Sequence, residues 1–156
     1  MNYLKRANEL YEETVENRRY LHQNPEIGMD LPKTSAFIMD KLKEMGYAPV
    51  SCGGDGIVAT VGIGGGKTIL LRSDMDALPM REESGLPFAS ACDAAHTCGH
   101  DCNAAQLLTA ARLLKENEEN LKGIFLSLRC CVQYKILIYP AVKNSSSCTE
   151  IFHCAK

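Results

Sequence analysis

An α/β fold, with helices packed on a mixed or mostly parallel sheet, is predicted by three observations. Two helix-length segments open the chain. Short β-branched runs bounded by glycine follow them. A third helical segment then precedes another strand-like run. At 156 residues the chain suits one domain with a real core.

Composition excludes several classes. Hydrophobic residues make up 46% and charged residues 23%, which is ordinary for a soluble globular protein. The net charge is -2, and no basic stripe favours nucleic acid. No apolar run approaches the roughly 20 residues that span a bilayer. The segment Met1-Asn2-Tyr3-Leu4-Lys5-Arg6 has no apolar signal core, so a cytoplasmic address is expected.

Residues 2 to about 22 read as one helix, with Leu4, Ala7, Tyr11 and Val15 at helical spacing. Asn24-Pro25 ends it. Pro32 is placed to open a second helix whose apolar face is Phe37, Ile38, Leu42 and Met45. Gly46 is its expected stop. Residues 56–63 read as a strand, 64–66 as a glycine turn and 67–72 as a second strand, apolar enough to lie centrally in a covered sheet. Gly66-Lys67-Thr68 is not a phosphate loop, because Val61 stands where that motif needs its first glycine. From Met80 to Asp101 the chain reads as a loop, a length often associated with function. A helix follows, with Ala104, Leu107, Leu108, Ala111 and Leu114 on one face. Residues 123–128 read as a third strand, and 132–139 as another.

Chemistry concentrates at two places. Ser73-Asp74-Met75-Asp76 follows the second strand, where loops of α/β proteins converge on a crevice. The alternative is a pair of solvated turn aspartates. His96-Thr97-Cys98-Gly99-His100-Asp101 places a thiol and an imidazole two positions apart, donors suited to zinc or a similar divalent ion. Gly99 between them can adopt angles that a Cβ resists. Eight cysteines are many for this length. In a reducing compartment most would be free thiols, and Cys52 and Cys92 are expected to pack as small buried apolar residues.

Three ordered segments resemble the aminoacylase-like metallopeptidases, peptidase family M20, in their amidohydrolase branch (subfamily D). They are Arg19-Tyr20-Leu21-His22-Gln23-Asn24-Pro25-Glu26, Arg72-Ser73-Asp74-Met75-Asp76-Ala77-Leu78-Pro79 and His96-Thr97-Cys98-Gly99-His100-Asp101. The branch includes hippurate hydrolases, auxin-conjugate hydrolases and N-acetyldiaminopimelate deacetylases. The resemblance covers residues 2 to about 123. It implies an incomplete amino-terminal part of a metallopeptidase catalytic domain over residues 1–128. It implies two divalent ions, zinc or manganese, in the complete site, with Cys98 and His100 as ligands. Asp76 matches the aspartate that supports the metals in catalysis. Asp74 stands where more distant relatives have a histidine ligand. The implied reaction is hydrolysis of the amide bond of a small-molecule N-acyl amino acid or small peptide. The ions polarise the carbonyl and acidify a water, and a glutamate takes its proton.

The chain departs from that pattern. Asn103 replaces the family's next histidine. The family's Gln-Pro-Ala-Glu-Glu segment, which supplies the general base and a further ligand, has no counterpart at Leu128-Arg129-Cys130-Cys131-Val132-Gln133. Residues 129–156 are therefore expected to be a divergent tail, arising by truncation or frameshift, with the lid and dimerisation domain absent and the chain inactive alone. His22 is expected to cap or pack near Pro25 and Glu26, and His96 to lie in a supporting loop. The alternative function is a non-enzymatic zinc- or thiol-binding module, although Cys98 and Cys102 lack the spacing of such motifs.

Overall fold

The computed structural model describes residues 1–63, 66–121 and 124–128. Two helices replace the single one expected at the start: α1 at Tyr3–Glu9 and α2 at Tyr11–Gln23. The break is at Leu10. Its carbonyl accepts both the Thr14 amide, at 3.0 Å, and the Thr14 hydroxyl, at 2.9 Å. Such back-bonding bends helices. The buried stripe also differs from the expected one. Leu4 and Tyr11 are exposed, whereas Leu10, Asn17, Leu21 and His22 are buried. Apolar periodicity does not reveal a stripe that contains an asparagine and a histidine.

Helix α3, Pro32–Glu44, matches its expectation. Pro32 occupies the first turn, where a missing N–H costs nothing. Ile38 and Leu42 are fully buried. The Glu26 carboxylate accepts the free amides of Lys33 and Thr34, at 3.1 and 2.8 Å. Gly46, at φ +85°, closes the helix. The Tyr47 amide donates to the Leu42 carbonyl at 3.0 Å, and that of Gly46 to Lys43 at 2.8 Å. This pair of bonds is the Schellman arrangement, which needs a left-handed residue.

The sheet is mixed, as expected. Strands β1 (Val50–Ser51), β2 (Ile57–Val61), β3 (Ile69–Ser73) and β4 (Ile124–Leu128) lie in the order β1-β2-β4-β3. β2 is antiparallel to β1 and β4, and β3 is parallel to β4. Helix α4, His100–Lys115, provides the crossover that parallel neighbours require. Among the described residues β3 is an edge strand, not a central one. Ile69 and Leu70 are 55% and 46% exposed. The apolar run reported the strand's preference for cover and could not report how many neighbours it has. The turn residues 64 and 65 and the strand expected at 132–139 lie outside the described residues.

α4 begins at His100, four residues before the first apolar position that announced it. Its Ala104, Leu108 and Ala111 are fully buried against Leu21, Ile57, Ala59 and Met75. Polar bonds tie it to α2: Thr14 to Thr109 at 2.6 Å and Arg112 to Glu13 at 2.8 Å. Cys52 is buried, as expected, but is disulfide-bonded and not a free thiol. Cys92 is exposed, contrary to its expectation. Its thiol stays beside the Ser90 hydroxyl, 3.3 Å away, on a loop that leaves it in solvent. No helix among the described residues is long and apolar enough to cross a membrane.

Candidate metal centre

β3 delivers Asp74 and Asp76 at its carboxyl end. Burial alternates beyond the strand: Ser73, Met75 and Ala77 face inward, and the two aspartates are half-buried. Two bridges fix this stretch. The Ala77 amide donates to the Glu26 carbonyl at 2.7 Å, and Leu78 and Ala95 exchange two bonds of 3.0 Å. The loops that follow α2 and precede α4 are thereby tied to one extended segment.

His100 is the first residue of α4, and Gly99 before it has φ +83° and ψ 16°. That left-handed angle turns the chain into the helix and suits glycine. His100 Nδ1 lies 2.9 Å from the main-chain oxygen of Asp76 and 3.0 Å from its Oδ1. Both partners are acceptors, so Nδ1 carries the proton and donates. Nε2 makes no hydrogen bond among the described residues. Cys98, two residues earlier, is an exposed free thiol. Asp74 is engaged elsewhere, in an ion pair with Arg72. Asn103 is exposed on the first turn of α4.

A second cluster lies beneath, and sequence reasoning missed it. His22 is buried and does not act as a cap. Its Nδ1 is 2.7 Å from Asp101 Oδ2, and its Nε2 is 2.9 Å from Glu82 Oε1. Arg18 Nη2 also stands 3.2 Å from His22 Nδ1. Arg18 Nε donates to the same Asp101 oxygen at 2.7 Å. Glu82 also accepts the Ser84 hydroxyl and, at 2.6 Å, the Ser90 amide. The Ser84 bond leads these interactions in holding the Glu82 carboxyl down at about 2. The available signal was Arg18 and His22, one turn apart on the face that also carries Leu21.

His96 is 4% exposed, and neither ring nitrogen has a partner among the described residues. Burial pushes its pKa down against the opposing pull of Asp101, which favours the neutral ring. Its ring centroid is 6.4 Å from that of His22. The structure therefore brings together His100 with Asp76, and His22 with Asp101, Glu82 and Arg18.

Residues 70–128 match the model of peptidase family M20/M25/M40. N-acetyl-L-cysteine deacetylase from Bacillus subtilis is 39% identical over 137 residues, covering 86% of this chain and 31% of the relative. Hippurate hydrolase from Campylobacter jejuni is 38% identical over 123 residues, covering 77% and 32%. The fold resembles that of a dinuclear metal-binding peptidase of family M20 from Bacillus subtilis. The TM-score is 0.73 at 32% identity, over 78% of this chain and 35% of that one. The match is thus to peptidase family M20 and to relatives that include a deacetylase and a hippurate hydrolase. The chain spans about a third of the length of the curated relatives it matches.

The family implies divalent metal ions, and the donors present fit part of such a site. A histidine that donates through Nδ1 to a carboxylate presents Nε2 as a fixed ligand. A thiol two residues away is the complementary soft donor. Among the described residues no group of three or more His, Cys, Asp or Glu could hold an ion. Cys98 and His100 are thus two donors where a closed or catalytic site has three or four.

Proposed function

We propose that this chain carries the amino-terminal, metal-holding portion of an amidohydrolase that cleaves N-acyl amino acids. Cys98 and His100 hold a divalent ion, zinc or manganese, and Asp76 orients His100. When bound, the ions polarise the amide carbonyl and acidify the attacking water. Asp76 keeps the proton on Nδ1, so the lone pair of His100 stays on Nε2. Gly99 sets the turn that lets residues 98 and 100 serve one site. The observation that carries this reading is the double contact of His100 Nδ1 with Asp76.

Residues 1–128 form the partial catalytic domain in this reading, and 129–156 a divergent tail. No pair of adjacent glutamates follows Glu119 to act as general base and further ligand. Residues 1–156 alone therefore turn over little or no substrate, since losing the proton acceptor costs about 10²–10⁴ in rate. Purified chain is assayed with hippurate and with N-acetyl-cysteine, each with Mn²⁺ or Zn²⁺. The expected rate is that of the metal in buffer. Turnover comparable to a complete relative refutes the inactivity.

A further inference from the structure

His22 occupies neither metal-binding position, yet it joins three parts of the molecule. It stands on α2, bonds Asp101 on α4, and bonds Glu82 on the long loop before α4. That loop folds over it. Phe88 meets the His22 ring edge-on at 5.6 Å, and Arg18 and Arg19 each lie 5.1 Å from the Phe88 centroid. Glu82 pins the loop further through the Ser90 amide. Asp101 is 1% exposed and adjoins His100 in the first turn of α4.

We propose that His22 is a positioning residue: through Asp101 it fixes the first turn of α4, and with it the His100 ring against Asp76. The proposal rests on reading His100 as a metal ligand. The geometry makes the coupling tight. Asp101 and His100 are consecutive residues of one helical turn, so they shift together. The bonds from His100 Nδ1 are 2.9 and 3.0 Å, and a displacement of about 1 Å carries them beyond hydrogen-bond range. His22 bears on Asp101 from α2, with the loop carboxylate Glu82 fixing its far nitrogen. Arg18 Nε reaches the same Oδ2 from the same helix but is 28% exposed, whereas His22 is 8% exposed and anchored at its far side.

The test reads the tautomer of His100, which a purely structural role for His22 would not alter in a folded variant. Metal-free ¹⁵N-labelled full chain is studied by long-range ¹H–¹⁵N correlation NMR. In the wild type His100 shows the Nδ1–H form, with Nε2 unprotonated. In His22→Gln it becomes a mixture of tautomers, and Co²⁺ affinity falls about 10- to 100-fold, as when a ligand loses its orienting support. Glu82→Gln preserves shape, weakens the hold on His22 and gives the same change to a smaller extent. It also carries the test should His22→Gln not fold. An unchanged His100 signature in the folded variants overturns the proposal, as does a mixed tautomer in the wild type. Failure of the metal reading is separately visible: a wild type with ordered His100 that binds Co²⁺ without thiolate absorption.

Discussion

His100 directs one ring nitrogen at two oxygens of a single residue, the main-chain O and the side-chain Oδ1 of Asp76, at 2.9 and 3.0 Å. The main-chain contact survives any substitution of the side chain. Asp76→Ala is therefore expected to weaken Co²⁺ binding by about tenfold without abolishing it. Spectroscopic titration of the two proteins checks this. Equal affinities would remove Asp76 from the site.

Asp101 is the most buried charge in the cluster, with no side-chain exposure and two cationic or proton-donating partners. Asp101→Ala leaves Arg18 and His22 facing an apolar methyl. The expected loss of unfolding free energy is about 3–5 kcal/mol, read from urea denaturation. Lys43→Gln supplies the control. It breaks the exposed 3.3 Å pair with Asp40, and the urea midpoint should stay in place.

Glu82 links stability to acid pH. Its carboxyl is lowered from 4.5 to about 2, first by the Ser84 hydroxyl and also by His22 and the Ser90 amide. A depressed acid stabilises the fold fully above its unfolded value, near 4.5, and loses that contribution as pH falls through about 2. The urea midpoint should therefore decline between those limits. Glu82→Gln should flatten that decline. A variant with the wild-type slope would show that another group controls it.

Gly99 has φ +83°, and a Cβ added there would meet nothing within 4 Å. Substitution is a matter of backbone strain alone. Gly99→Ala is expected to cost about 1–2 kcal/mol, the usual penalty of the left-handed region. A drop in melting temperature with unchanged helix content by circular dichroism is the expected outcome. A neutral substitution would mean that the turn relaxes to another conformation.

Much of this was legible in the residues. Gly99 was singled out between Cys98 and His100 because a tight turn needs it, and it is left-handed. Asp76 was placed at a strand end and is found there, against His100. Pro32 and Gly46 bounded α3 because their chemistry is local. The misses were non-local. The break at Leu10 is invisible to periodicity, because Leu4, Ala7, Tyr11 and Val15 keep helical spacing across it. The edge position of β3 depends on which strands pair with it. Besides Arg18 one turn away, the partners of His22 are 79 and 60 residues distant, not the expected Pro25 and Glu26. Contacts of that separation leave no spacing to read.

The most direct measurement is the absorption spectrum of the purified, reduced chain titrated with Co²⁺. A thiolate-to-cobalt charge-transfer band is expected, lost in Cys98→Ser and weakened in His100→Ala, with Cys92→Ser and Cys102→Ser unchanged. Absence of the band in the wild type, or its persistence in Cys98→Ser, would contradict the account.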